Sequence, residues 1–178
     1  SAGGFPAKYG DRLSSIMDVQ YRNGDKNNFN GKLDIGIAGG GIILEGPIQE
    51  GKSSYLFSAR KSYLDLILSA TGLTSIPNYT NFNLKATYDI SESHKLSLIS
   101  LAGIDKIHFA GVDDEDDPFL EKTDYAAWQF VTGVVDRWLI SNQTYLQTSL
   151  STNQYHKDIS VDSLGKPTFK NKSMNIEY

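Results

Sequence analysis

The chain has 178 residues and a net charge of -4, and it contains no cysteine. The missing cysteine excludes a disulfide framework and a thiolate metal site, and the acidic balance argues against a nucleic-acid partner, which usually meets a basic face. No apolar run approaches the roughly 18 residues of a membrane helix, and we expect no secretory signal, because no charged segment precedes an apolar one at the start.

The first 25 residues differ from the rest of the chain. They are rich in turn residues, and their bulky members predict a short strand over Ser14–Tyr21. The turn signal Asn23-Gly24-Asp25 follows. We therefore expect a domain boundary between Asn23 and Asn28, with residues 1–25 and 26–178 as the two units.

Beyond that boundary, side chains alternate between apolar and polar, which predicts amphipathic strands. The alternation is clearest in Phe82–Ile90, where Phe82, Leu84 and Tyr88 share one face with little exception. Strands are predicted over Phe29–Ile37, Ile42–Ile48, Ser54–Leu68, Phe82–Ile90, Lys95–Phe109, Ala126–Ile140 and Tyr145–Lys157, and Met174–Tyr178 reads as a strand cut short.

The strand over Ser54–Leu68 changes phase along its length. A bulge near Arg60–Ser62 would account for this change, because one inserted residue reverses the faces. A short helix over Tyr63–Thr71 is the alternative.

The connections between these strands alternate in length. Short ones are predicted at Gln49–Ser53, Ser91–His94 and Ser141–Thr144, and long ones at Gly72–Asn78, Ala110–Asp124 and Ser160–Ser173; the tight glycine turn Ala38–Gly41 is the exception. Short turns at one end and longer loops at the other are typical of outer-membrane β-barrels.

Strand length favours the same interpretation. Several predicted strands reach the roughly 9–11 residues that a tilted strand needs to cross a bilayer, and aromatic residues cluster near strand ends, as they do in interfacial girdles. The predicted fold class is all-β, an antiparallel up-and-down meander that is part of a large transmembrane β-barrel.

Two stretches carry a resemblance to a known family. The stretch Gly4–Val19, with Pro6-Ala7-Lys8-Tyr9-Gly10, resembles the end of the plug domain of TonB-dependent outer-membrane receptors, closest to those of the Bacteroidetes type. The stretches Leu44–Ile48 and Ser53–Tyr63 look like the first barrel strands of that family.

The resemblance implies a function. Such a receptor is a barrel of about 22 strands that imports a scarce nutrient, of the siderophore, cobalamin, peptide or glycan class, when the TonB complex acts on its plug. The implied partners are outer-membrane lipid, the TonB complex and a small nutrient ligand, and the implied location is the outer membrane of a Gram-negative bacterium. This chain would supply the plug's last segment and seven or eight strands.

Four charged residues are candidates for plug–barrel contacts. Glu45 lies on the polar side of its strand, and Arg12, Arg22 and Arg60 are candidate partners. Charge-assisted hydrogen bonds between plug arginines and a barrel glutamate would hold a plug in place. The alternative is a set of unrelated surface charges, which contribute little.

The sharpest acidic cluster is a run of five carboxylates. The run is Asp113, Asp114, Glu115, Asp116 and Asp117. It could bind Ca²⁺, but its spacing misses the EF-hand pattern, and a solvated, self-repelling loop is the favoured interpretation.

No catalytic constellation or cofactor motif emerges from the sequence. The histidines His94, His108 and His156 are scattered, so we expect no enzyme. Two alternatives remain open for the architecture. One is a soluble all-β sandwich acting as a binding module, in which two apolar faces meet. The other is a small closed barrel in which Met174–Tyr178 pairs with Phe29–Ile37.

Overall fold

In the described part of the chain, eight strands follow one another in a single antiparallel sheet. A computed structural model describes Ser15 and residues 17–64, 75–109, 122–163 and 166–177. The strands are β1 (Asn30–Gly36), β2 (Gly39–Gln49), β3 (Ser53–Ser62), β4 (Ser75–Ser91), β5 (His94–Phe109), β6 (Lys122–Ser141), β7 (Thr144–Ser163) and β8 (Lys166–Glu177). Their order in the sheet is their order in the chain, which confirms the predicted all-β, antiparallel up-and-down meander.

The three tight turns predicted at one end are confirmed, whereas the turn predicted over Ala38–Gly41 lies at Ile37–Ala38, because Gly39–Gly41 pair within β2. Two or three residues join β2 to β3, β4 to β5 and β6 to β7, and two residues join β1 to β2. Gly51 adopts a left-handed conformation in the first of these turns, with φ of 71°. Near the ends of β2, β4 and β6, one extra residue without a cross-strand partner lies just before the turn that follows. In each strand this residue is an isoleucine, namely Ile48, Ile90 and Ile140. These bulges increase the local twist where the strands end.

Several predicted boundaries are wrong. Ser15 forms an isolated β-bridge and residues 17–29 belong to no strand, so the described part of the strand predicted over Ser14–Tyr21 is not a continuous strand. The pairing of β3 shows no bulge near Arg60–Ser62, because β3 ends at Ser62. The long loop predicted over Ser160–Ser173 is mostly strand, since β7 continues to Ser163 and β8 begins at Lys166. Each continuation gains ladder hydrogen bonds from a neighbouring strand.

The remaining predicted loops are covered only in part. Residues 65–74 and 110–121 lie outside the described residues, and β4 already begins at Ser75 and β6 at Lys122. The described ends of these two connections lie at the end of the sheet opposite the three tight turns. We call that end the loop end, and the other the tight-turn end.

The sheet has one apolar and one polar face. Residues directly opposite each other in an antiparallel pair share a face, so the register traces each face across all strands. The apolar face carries Leu33, Ile35, Ile42, Leu44, Phe57, Phe82, Leu84, Leu96, Leu98, Trp128, Phe130, Val134, Trp138 and Leu150, whereas the polar face carries Glu45, Ser58, Asn83, Lys85, Asp89, Lys95, Arg137 and Asn153.

Nothing in the described chain covers the apolar face. Ile35 is 74% exposed, Phe82 39% and Leu150 75%, and Ala127 is the one buried apolar side chain among the described residues. The chain exposes 12906 Å², against about 8600 Å² for a compact monomer of its mass. The described sheet has no second layer, so both of its faces add to this surface.

This arrangement contradicts both alternative architectures. A sandwich needs two sheets packed face to face, and the described strands form one. A small closed barrel needs β8 to pair with β1, and these strands are instead the two edges of the sheet. In the described part of the chain, no helix has the length and apolar character required to cross a bilayer.

Candidate functional site

The segment before β1 lies across the polar face. We call residues 21–28 the strap. It contacts side chains of β2 and β4 and the backbone of β3, and then turns into β1. Polar side chains of the strands supply its partners, because the alternation of these strands directs their polar members to this face.

The strongest strap contact is an ion pair between Arg22 and Glu45. The two guanidinium nitrogens donate to the two carboxylate oxygens, with Nη2 to Oε1 at 2.9 Å. The Glu45 side chain is only 14% exposed, while that of Arg22 is 60% exposed. This two-pronged geometry is the strong form of a charge-assisted hydrogen bond, and the bond to Glu45 raises the pKa of Arg22.

Asp25 organises the turn that follows. Its Oδ1 accepts hydrogen bonds from the backbone N–H groups of Asn27 at 2.7 Å and Asn28 at 3.0 Å, as in an Asx turn. These backbone bonds lower the pKa of Asp25. The N–H of Asp25 itself donates to Oε2 of Glu45 at 3.2 Å. The single carboxylate of Glu45 therefore binds both the Arg22 side chain and the backbone of the turn.

The far end of the strap is held at the tight-turn end of the sheet. The Lys26 ammonium donates to Oδ2 of Asp89 on β4, and Lys95 lies 3.5 Å from the other oxygen of Asp89. The carbonyl of Lys26 accepts a 3.0 Å hydrogen bond from the N–H of Gly51, in the turn between β2 and β3. One side-chain and one backbone contact thus hold the same residue.

The start of the strap has polar contacts and a close backbone approach. Lys85 donates to the carbonyl of Tyr21, whose hydroxyl lies 3.5 Å from Oδ1 of Asn83. Gly24 lies so close to β3 that a Cβ there would be 2.0 Å from the carbonyl oxygen of Tyr55. A residue with any side chain at position 24 would push the strap away from the sheet.

The predicted site residues have different outcomes. The structure brings Arg22 and Glu45 together. Arg60 lies on β3 and its ion pair is with Asp34 of β1, at 3.9 Å, with both side chains more than half exposed. The remaining candidates, Arg12 and the carboxylates Asp113, Asp114, Glu115, Asp116 and Asp117, lie outside the described residues. Within the described ranges, no three histidine or carboxylate side chains are grouped as a metal site would require.

The sequence did not reveal the contacts of Lys26 and Lys85. Lys26 and its partner Asp89 are 63 residues apart, and Lys85 is 64 residues from Tyr21. One signal was available: Lys85 and Asp89 both lie on the polar side of the clearest amphipathic strand, where a segment crossing that side would meet them.

Aromatic residues border the apolar face at both ends. On β6, Trp128 and Trp138 are ten positions apart on this face, which corresponds to about 34 Å along the strand. With the usual strand tilt of about 35–45°, the separation is about 24–28 Å, close to the roughly 25 Å height of the apolar band of a membrane barrel. His156 stacks on Trp128 at 5.9 Å, and His94 stacks on Trp138 at 5.8 Å.

Acidic partners accompany the border histidines. Nε2 of His94 lies 2.7 Å from Asp136 at the tight-turn end, and Nδ1 of His108 lies 2.5 Å from Asp124 at the loop end. These pairs lie on an open sheet surface at the limits of the apolar band. The arrangement suits a boundary between hydrocarbon and water, where aromatic rings with a polar edge are favoured.

Comparison with known proteins adds no relative. No protein-family model, no curated protein and no solved structure matches this chain.

Proposed function

We propose that this chain supplies the first wall strands of a TonB-dependent outer-membrane receptor that imports a scarce nutrient, and that the residues before β1 are the end of its plug. The observation that carries the proposal is the asymmetry of the sheet. Its apolar face is uncovered and bordered by aromatic residues, and its polar face holds the segment that precedes β1.

Lipid is the environment that suits the apolar face. Large side chains such as Leu33, Ile35 and Leu150 are 69–75% exposed, and burying each of them contributes about 1.5–3 kcal/mol. In a bilayer this gain comes from hydrocarbon, so a second protein layer is unnecessary. The two edge strands, β1 and β8, carry unpaired backbone groups that closure of a wider barrel would satisfy.

The strap supports the plug assignment. A plug inside a barrel is in contact with the polar, lumen-facing side of the wall, and the strap lies on the polar face of β2, β3 and β4. Its ion pairs are held by side chains that remain partly accessible to water. Such contacts hold a segment in place without the cost of burying bare charges.

Two neighbouring valines provide the test. Val134 lies on the apolar face and Val135 on the polar face, and the chain has no cysteine, so Val134→Cys and Val135→Cys each take one environment-sensitive dye. In lipid vesicles the dye at 134 should shift to the blue and be quenched by lipid-soluble quenchers, while the dye at 135 should respond to aqueous quenchers. Equal responses at the two positions would refute a lipid-facing sheet.

Cell fractionation tests the location. In a Gram-negative cell that makes this chain, the chain should separate with the outer membrane. Recovery of the folded chain in the soluble fraction would contradict the proposal.

A further inference from the structure

We propose that the loop end of the apolar face binds the phosphates of anionic lipids, and that the tight-turn end does not. This inference rests on the proposed function, because it takes the apolar face to lie in a bilayer. Three lysines at the loop end carry it: Lys61, Lys106 and Lys172.

All described lysine side chains of the apolar face lie at one end. Lys61 is in the same row across the sheet as Trp128, through Thr80 and Ile104. Lys106 is opposite Ala126, one row further toward the loop end, and Lys172 is opposite Asp158 in that same row. The three lysines therefore begin where the aromatic border lies and continue outward from it.

Lysines at this level suit a lipid headgroup layer. A lysine near the edge of the hydrocarbon keeps its stem along apolar surface and extends its ammonium into the headgroups. Lys61, Lys106 and Lys172 are all exposed. The ammonium of Lys61 donates to Asn78 at 2.8 Å and to Thr80 at 3.3 Å. Both of these partners are uncharged, so the charge of Lys61 stays available to an anion.

On the apolar face at the loop end, the described lysine side chains outnumber the described carboxylates by three to two. Asp158 lies opposite Lys172, and Asp124 is held by His108 at 2.5 Å. Lys106 lies on the strand next to that of Trp128, and its directly opposite residues, Asn78 and Ala126, are uncharged. Basic residues at a bilayer surface attract anionic lipids.

The tight-turn end has a different charge pattern. The described carboxylate and histidine residues of the apolar face at this end are Asp136 and its hydrogen-bond partner, His94. The basic strand residues nearest to it, Lys95 and Arg137, lie on the opposite, polar face. One tryptophan therefore marks a basic border and the other a border without lysine or arginine among the described residues.

The two tryptophans allow each border to be measured separately. The chain has two tryptophans, so Trp138→Phe leaves Trp128 as reporter and Trp128→Phe leaves Trp138. Each variant is reconstituted in phosphatidylcholine vesicles containing about 5 mol% phosphatidylglycerol brominated on its acyl chains, a fraction low enough for local enrichment by basic residues to be visible. Brominated phosphatidylcholine in the same amount measures general lipid contact.

The expected result is a difference between the two reporters. Quenching of Trp128 by the anionic lipid should correspond to a local concentration about threefold or more above its bulk fraction, and quenching of Trp138 should match the bulk fraction. Lys106→Gln with Lys172→Gln should return Trp128 to the bulk value. The control Lys32→Gln with Lys157→Gln, which removes the same charge from the polar face, should leave the enrichment intact.

Failure of this inference differs from failure of the proposed function. Equal enrichment at both tryptophans, or enrichment that survives Lys106→Gln with Lys172→Gln, overturns the inference alone, provided that brominated phosphatidylcholine quenches both reporters. If brominated phosphatidylcholine quenches neither reporter, the sheet does not lie in lipid, and both the proposed function and the inference are refuted.

Discussion

The pairing of Arg22 with Glu45 is the contact whose energy can be predicted most closely. A double-mutant cycle consists of Arg22→Ala, Glu45→Ala and the double variant. The cycle isolates the energy of the pair, because losses that each residue suffers alone cancel. Since the pair joins the strap to β2, its removal should favour release of the strap from the sheet before it affects the strands.

The expected coupling energy follows from the geometry of the pair. Exposed ion pairs contribute about 0.2–1 kcal/mol, and hydrogen bonds to charged groups inside proteins contribute about 1.5–3 kcal/mol. The carboxylate of Glu45 is 14% exposed and the arginine 60% exposed, so the pair lies between these cases. We expect a coupling of about 1–1.5 kcal/mol, or roughly a five- to thirteenfold change in the opening equilibrium of the strap. Glu45→Ala alone should cost more than Arg22→Ala, because the N–H of Asp25 also loses its acceptor.

Hydrogen exchange at the amide of Gly51 measures strap opening. This N–H donates to the carbonyl of Lys26 at the far end of the strap, so it reports release without being a partner of either mutated side chain. In lipid micelles, the ratio of exchange rates between variants gives the change in opening free energy. Added salt should reduce the coupling, because Arg22 is exposed to solvent.

A matched pair on the same face provides the control. Arg60 and Asp34 are 3.9 Å apart with 52% and 58% of their side chains exposed, so their cycle should give less than about 0.5 kcal/mol. A coupling for Arg22 and Glu45 no larger than that of the control pair would refute the reasoning that burial of the carboxylate and the two-pronged geometry strengthen the contact.

Three further predictions concern the strap and the sheet beneath it. Gly24→Ala should speed exchange throughout the strap, because its Cβ would lie 2.0 Å from the Tyr55 carbonyl oxygen; unchanged exchange would contradict this close approach. The pKa of Asp25 is lowered, so its Asx turn should be fully formed above the ordinary aspartate pKa and should be lost as the pH falls through the lowered pKa. The amide chemical shifts of Asn27 and Asn28, whose N–H groups donate to Asp25, should follow this titration. In Asp25→Asn the same shifts should not change over this pH range. Ser54→Ala should cost about 1–2 kcal/mol in urea unfolding, because it leaves the buried hydroxyl of Thr87, now 3.0 Å from Ser54 Oγ, without this partner; a cost below about 0.3 kcal/mol would show that the hydroxyl pair is energetically unimportant.

Local patterns in the sequence were sufficient for the strand faces and the tight turns. The alternation in Phe82–Ile90 correctly assigned its apolar and polar sides, and the three tight turns lie where turn residues predicted them. Both features depend on a few neighbouring residues, since side chains alternate along any strand and a turn is determined by its own backbone preferences.

The candidate site was only partly accessible from the sequence. Arg22 and Glu45 were among the residues proposed from the family resemblance, and the structure joins them. Arg60 pairs with Asp34 instead, and Lys26 was not recognised as a strap contact. The partner of a charged side chain depends on which strands are neighbours and in what register, and neither is encoded in the local pattern.

The sequence by itself determined the all-β class, the number of strands within one, and which side chains share a face, because each follows from period-two alternation and short-range turn chemistry. Tertiary structure decided where the strands end and what crosses them. Residues 160–163 and 166–173 became strand because β7 and β8 supply each other with backbone partners, and the segment before β1 remained outside the sheet because the polar side chains of β2 and β4 bind it across the face. Both outcomes depend on partners that are distant in the chain, and such partners meet only when the whole sheet has formed.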